Sequence, residues 1–310
     1  MKQLAIGIDI GGTRTKLGLV DAGSGTVLHT LISSTEKHSS ERFLGAVFEG
    51  IDTLRAQAAD TGAQVCGVGV GVTGFADSAG VVDSTYGFLE FMEDYPLASH
   101  IAAHCALPCR VDNDARAVAL GEALYGAGRG RARVLVLTLG TGLGVGFVAG
   151  GRFEAPLAYA HMAGHMTIDP AGPPCYCGKT GCLEALVAAP AILQAARVLG
   201  WPAAALSVEA IFQAEQAGNA RAAVLVSNFL EHLCTGIGNF INLYAPDLIV
   251  LGGGVAKGLR PYLDRIGRVD ALRPFKRHHA AIVLSELDEH AGILGSAALL
   301  HTSTCSIHPI

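Results

Sequence analysis

Four residues with metal-binding side chains crowd together: His165, Cys175, Cys177 and Cys182, spaced His-x9-Cys-x-Cys-x4-Cys. Three thiolates and one imidazole suit tetrahedral zinc, and four protein ligands close its shell, so such a site holds a loop rather than activating water. Gly172, Pro173, Pro174, Gly178 and Gly181 supply the turns that such a knot needs. The alternative is a loop of free thiols. The other cysteines, Cys66, Cys105, Cys109, Cys234 and Cys305, are scattered, and Cys66 and Cys234 sit in apolar runs as small core residues. No export signal is evident, since Asp9 interrupts the first apolar run. Crowded cysteines therefore point to metal rather than disulfides.

Two turns carry a second kind of chemistry. Gly11-Gly12-Thr13 and Gly140-Thr141-Gly142 each follow an apolar strand, and Asp9 stands near the end of the first. Successive backbone N–H groups in such a turn converge on an anion, glycine permits positive φ, and threonine adds a hydroxyl. Together the turns could clasp a polyphosphate; alternatively both are ordinary hairpins. Neither is a Walker A loop, because no Gly-Lys-Ser/Thr follows. Gly69-x-Gly71-x-x-Gly74 matches the dinucleotide fingerprint literally, but a turn and Val81-Val82 follow where that motif requires a helix. Asp114 lies where a strand meets a helix. It could accept a proton from a substrate hydroxyl or cap the helix, and Asn113 could cap while Asp114 stays free.

The elements that must position these residues are legible in outline. Residues 3–20 read as a hairpin, 40–60 as a helix, 65–72 as a strand and 97–105 as a helix. A short strand over 108–111 leads into a helix over 115–125. The strand–Gly-Thr-Gly–strand unit from Val134 echoes the first hairpin, a weak internal repeat suggesting two related halves. Val134 to Gly151 carries no charge and meets the lower length limit for a membrane span. Its glycines and β-branched residues fit a buried strand–turn–strand better. Residues 184–200 and 208–245 read as helical, 247–251 as a strand ending in Gly252-Gly253-Gly254, and 291–300 as a final helix.

The chain has 310 residues, half of them hydrophobic and 16% charged, which excludes disorder. Forty glycines without a Gly-x-y period exclude collagen. A net charge of −5 argues against a broad nucleic-acid face, and no basic amphipathic stretch suggests a membrane surface. The protein reads as cytoplasmic, with any boundary between halves near 113–130 and a cleft rather than a tether.

Taken together, IDIGGT (8–13), DNDA (112–115), LGTGLGVG (139–146), Gly164-His165 with CYCGKTGCLE (175–184), and LGGGV (251–255) resemble the ROK family within the actin/hexokinase-like ATPase superfamily. The resemblance implies an α/β fold of two actin-like (ribonuclease H-like) domains. Residues 1–117 with 292–310 would form one and 118–291 the other, with ATP and sugar in the cleft and a structural zinc loop. It implies that Asp9 orients Mg²⁺·ATP through water. Gly11, Gly12, Thr13, Gly140, Thr141 and Gly142 would hold phosphates, and Gly252, Gly253 and Gly254 would lie by the nucleoside. Asp114 would be the general base, and Asn113, His165 and Glu184 would meet the sugar, with one ring nitrogen of His165 on zinc. A homodimer is the family's habit. The family's repressors carry an N-terminal DNA-binding segment, for which the residues ahead of the first phosphate loop leave no room.

Two departures mark the sugar pocket. Met162 stands where sugar-phosphorylating members have a glutamate, and Ser84-Thr85-Tyr86-Gly87-Phe88 lacks an expected asparagine. Losing polar contacts built for hydroxyls changes discrimination strongly. Met162, Tyr86 and Phe88 hint at a deoxy, N-acyl or otherwise modified sugar. The competing readings are a sugar sensor that lost turnover and a kinase of a non-sugar hydroxyl. Glu122 reads as a surface or helix-packing charge, and Arg14 and Lys16 as solvated strand charges rather than phosphate ligands.

Overall fold

The computed structural model describes residues 3–85, 89–153, 159, 162–269, 272 and 277–302. Tyr86, Phe88 and Cys305, which bear on the expectations above, lie outside the described residues. In chain order the elements are β1 (Gln3–Ile10), β2 (Arg14–Asp21), β3 (Thr26–Ser34), α1 (Ser40–Asp60), β4 (Gln64–Val72), β5 (Phe75–Ala76), β6 (Val82–Asp83), α2 (Leu97–Cys105), β7 (Cys109–Asn113) and α3 (Asp114–Tyr125). There follow β8 (Arg133–Leu139), β9 (Leu143–Ala149), β10 (Arg152–Phe153), α4 (Leu183–Val187), α5 (Ala189–Val198), α6 (Val208–Gln216), α7 (Ala220–Tyr244), β11 (Leu248–Gly252), α8 (Leu263–Gly267), β12 (Ala281–Leu284) and α9 (Ala291–Ala298). The fold is α/β, with two five-stranded sheets of order β3-β2-β1-β4-β7 and β10-β9-β8-β11-β12. The two orders correspond strand for strand, so the echo between the Gly-Thr hairpins extends to topology.

The chain divides into two compact units: Met1–Gly130 with Gly146–His161 and Glu286–Ile310, and Arg131–Val145 with Met162–Ser285. Relative to the division expected from the resemblance, the first unit also takes in all of α3, residues 146–161 and residues 286–291. In the first unit, β1 pairs antiparallel with β2 and parallel with β4, and β4 runs parallel with β7. Leu4, Ile6, Ile8 and Ile10 alternate onto one face and pack with Phe43, Val47, Ile51 and Leu54 of α1 and Leu97 and Ile101 of α2. Ala5 lies on the other face, with Ile293, Leu294 and Ala297 of α9. Glycines bring α9 onto the strands: a Cβ on Gly7 would lie 2.0 Å from the Ile293 carbonyl oxygen, and one on Gly69 1.8 Å from that of Ser296. The glycine-rich strand thus serves helix packing. Gly74 (φ +119°) turns into the β5–β6 hairpin, not into a dinucleotide-binding helix.

In the second unit, β8 and β12 flank β11 in parallel. The charge-free stretch from Val134 is indeed strand–turn–strand. Among the described residues no helix is long and apolar enough to cross a membrane. Two expected helices are each divided. Ala188 is extended (ψ 156°) ahead of Pro190 in the first turn of α5; proline lacks the N–H that a continuous helix would need there and its ring would clash with the carbonyl four residues back. Gly218 (φ +85°) separates α6 from α7, and Asn219 caps α7 by accepting from the Arg221 and Ala222 N–H groups.

Candidate active site

In the first unit, register aligns Asp9 with Gly71 and Gly71 with Asp112, one row across the C-terminal ends of three parallel strands. That is the end of an open α/β sheet where ligands bind. Asn113 is the N-cap of α3: its Oδ1 accepts from the Ala115 and Arg116 N–H groups at 3.1 and 3.2 Å. Its Nδ2 donates to the Gly74 carbonyl at 2.7 Å and to Asp114 Oδ1 at 3.1 Å. Asp114 Oδ1 also accepts from the Ala115 N–H at 2.8 Å, and Thr73 Oγ1 donates to Asp114 Oδ2 at 3.3 Å. Burial and then the nearby Asp9 charge push the Asp114 pKa up to about 7. Burial also raises Asp9, opposed by Lys16, its cross-strand partner.

The Lys16 ammonium donates to the Glu289 carbonyl at 3.2 Å, so Lys16 is a held strand charge. The first Gly-Thr turn is closed by the Gly11 N–H donating to the Arg14 carbonyl at 3.0 Å, and Thr35 Oγ1 donates to the Gly11 carbonyl at 2.7 Å. A Cβ on Gly12 would meet nothing within 4 Å.

In the second unit, the Gly140 N–H donates to the Gly142 carbonyl at 2.9 Å, and the Ala189 N–H ties the Gly140 carbonyl to α5 at 2.8 Å. Glu184 accepts from the Leu143 N–H through Oε2 at 2.8 Å, and a Cβ on Gly142 would lie 2.9 Å from that oxygen. Glu184 therefore supports the second Gly-Thr turn, a contact that sequence reasoning missed. None of Gly11, Gly12, Gly140 and Gly142 adopts positive φ, contrary to expectation. A Cβ on Gly140 or Gly254 would also meet nothing. At Gly12, Gly140 and Gly254 the space above the Cα is open. Gly253 alone of the third glycine run is left-handed (φ +85°), with its Cα pressed against the Leu139 carbonyl.

His165 ends a short 3-10 turn, Met162–His165, with Met162 half-buried at its start. The ligand atoms of His165, Cys175, Cys177 and Cys182 all lie within 4.8 Å of one another. His165 Nδ1 is 3.5 Å from Cys175 Sγ, and Cys177 Sγ is 3.6 Å from Cys182 Sγ. A tetrahedral zinc ion sets such ligands about 3.5–3.8 Å apart, which these two pairs match, and the donor set of three thiols and an imidazole suits that ion. Burial and the neighbouring Cys177 and Cys175 push the Cys182 thiol up to about 12. Gly178 (φ +87°) and Gly181 (φ +65°) make the turns of the knot. The other ring nitrogen of His165, Nε2, lies 3.3 Å from the Tyr176 hydroxyl. Burial lowers the His165 pKa, and the Glu184 charge opposes that shift, so these two sugar-contact candidates are neighbours.

One further residue beside the first-unit site went unrecognised in the sequence, and Glu122 takes the helix-packing rather than the surface alternative of its reading. Arg116 is 1% exposed; its Nε donates to Asp112 Oδ1 at 2.8 Å, and its guanidinium lies 4.1 Å from the Phe153 ring centroid. The i, i+4 spacing of Asp112 and Arg116 was the available signal. Glu122 is fully buried rather than at the surface, and its Oε2 accepts from the Ala127 N–H at 3.1 Å.

Residues 5–303 match the model of the ROK family. A glucokinase of Thermotoga maritima is 29% identical, over 96% of this chain and 98% of its own. A ROK family glucokinase from Streptomyces griseus, solved in complex with glucose and AMPPNP, superposes with a TM-score of 0.77 at 29% identity, over 96% of this chain and 98% of its own. The N-acetylglucosamine repressor of Escherichia coli O6:H1 is 27% identical, over 96% of this chain and 75% of its own.

Proposed function

The chain belongs to the ROK family, and from that premise we propose that it is an ATP-dependent kinase of a hexose or modified hexose. The observation that carries the proposal is Asp114: a half-buried carboxylate where β7 meets α3, next to the N-cap Asn113, with burial and Asp9 raising its pKa to about 7. Such a group is balanced between its proton-holding and proton-taking forms at neutral pH, as a general base must be. Asp114 takes the proton of the acceptor hydroxyl as that oxygen bonds to the γ-phosphorus. The bond from that phosphorus to the β–γ bridging oxygen breaks, and ADP leaves with the bridging oxygen.

Asp9 would orient Mg²⁺·ATP through water; two mutually repelling carboxylates suit a divalent cation nearby. Bound Mg²⁺ supplies charge neutralisation on the phosphates, the main demand of phosphoryl transfer. The backbones of Gly11–Thr13 and Gly140–Gly142 would hold phosphate oxygens, and Gly252–Gly254 would lie by the nucleoside. The open room at Gly12, Gly140 and Gly254 supports this. Asn113, His165 and Glu184 would face acceptor hydroxyls, while zinc bound by His165, Cys175, Cys177 and Cys182 orders their loop. The expected domains, 1–117 with 292–310 and 118–291, would close to exclude water. The glucose and AMPPNP bound by the Streptomyces griseus relative support a hexose and ATP here.

Met162 in place of a glutamate argues for an acceptor other than plain glucose. A second reading, a sugar sensor without turnover, is favoured only by the repressor relative. Release of ADP from Mg²⁺·ATP, followed over hexoses, amino and N-acyl sugars, deoxy sugars and polyols, separates them. One acceptor class stimulating release supports the kinase; sugar binding with no stimulated release supports the sensor. Plain glucose as the best acceptor, with Met162→Glu lowering its turnover, would overturn the modified-sugar assignment.

A further inference from the structure

Helix α9 reaches the first-unit site with two residues one turn apart, Gly292 and Ser296. Gly292 lies against Asp9: a Cβ added there would sit 2.2 Å from Asp9 Oδ2 and 2.3 Å from its Cγ. Real Cβ atoms do not come within 3.0 Å of other atoms, so the carboxylate rests on a bare Cα. Any side chain at 292 must displace the carboxylate or the helix. Ser296 is fully buried, and its Oγ accepts the Gly71 N–H at 2.9 Å. Gly71 is the ladder partner of both Asp9 and Asp112. A Cβ on Gly71 would lie 3.0 Å from Ser296 Oγ and 3.3 Å from the Asp114 Cα. One face of α9 therefore touches the first carboxylate directly and the backbone beneath the second.

We propose that Gly292 and Ser296 are positioning residues for Asp9 and Asp114. The start of α9 is the stop that sets where the Asp9 carboxylate points, and Ser296 fixes the Gly71 backbone on which Asp114 rests. The catalytic consequence rests on the kinase reading; the steric coupling of Gly292 to Asp9 does not.

Gly292→Ala is expected to lower kcat/KM for Mg²⁺·ATP at least about tenfold while the acceptor KM stays within about twofold, since small misplacements of reacting groups are costly. Ser296→Ala is expected to lower kcat in the same direction. Ile293→Val, on the same helix, should lower the melting temperature and leave kcat/KM unchanged. A thermal cycle of Gly292→Ala, Asp9→Gly and the double variant isolates the coupling. Stability lost in Gly292→Ala should return in the double variant, where the obstructing side chain is gone. Additive losses overturn the proposal, as does Gly292→Ala with unaltered melting and kinetics. If Gly292→Ala alone does not fold, a folded double variant supports the coupling and an unfolded one overturns it. If the protein phosphorylates nothing, the melting cycle still reads the coupling, so the two failures are distinguishable.

Discussion

Asn113 and Asp114 stand together at the start of α3, and of the two only Asp114 can take a proton. Asn113 satisfies the orphan donors at the start of α3, leaving the Asp114 carboxylate beside Thr73. A pKa raised to about 7 by burial and by Asp9 has two consequences. If Asp114 is the base, kcat/KM should fall about tenfold per unit as pH drops below about 7, because the protonated form takes no proton. A rate flat from pH 8 to about 5 would contradict the assignment.

The second consequence concerns stability. The folded state holds the Asp114 proton more tightly than the unfolded chain, so this contribution is fully present below the unfolded pKa of 3.8 and is lost as pH rises through about 7. Asp114→Asn should therefore melt higher than the parent at pH 8, with the advantage vanishing towards pH 4; equal melting at both would show no burial strain. Asp114 was legible from the strand-to-helix junction. Its elevated pKa was not, because that arises first from burial and then from Asp9, neither of which is visible in the local sequence. Arg116 was hidden for a related reason: burial of a charge depends on partners that composition does not reveal.

At the scale of elements, the His/Cys knot and the second Gly-Thr turn are linked through Glu184, which follows Cys182 closely and supports Gly142 and Leu143. Metal analysis should find about one zinc per chain. Cys177→Ser, or zinc removal by a chelator, should weaken acceptor binding and loosen the knot, read as new proteolytic cleavage within 165–182. Zinc-free protein with full activity and unchanged cleavage would contradict a structural metal. The cysteine spacing was enough to bring His165, Cys175, Cys177 and Cys182 together as one candidate metal group. By contrast, β3 and β12 went unseen. They are edge strands, and with one neighbour and much exposure, β3 lacks the apolar alternation that betrays a half-buried strand. The divisions at Ala188 and Gly218 were signalled by Pro190 and by glycine, and apolar spacing alone overran both.

At the scale of the whole molecule, one strand order occurs twice, each time with a Gly-Thr hairpin feeding a parallel pair. The repeat in sequence was faint because only the turns and their flanking strands must be alike; the helices that cover each sheet differ. The glycine content is likewise a property of the assembly. Gly7 and Gly69 admit α9 onto the sheet, and Gly12, Gly140 and Gly254 leave backbone open. Family membership and this architecture are the grounds on which phosphoryl transfer with Asp114 as base is proposed. The most direct test is transfer of label from γ-labelled ATP to the acceptor that best stimulates ADP release, by the parent and by Asp114→Ala at equal folded concentration. The account predicts labelled sugar phosphate from the parent and at least about 10²-fold less from Asp114→Ala. Equal labelling by both, or ADP release with no labelled sugar, would contradict it.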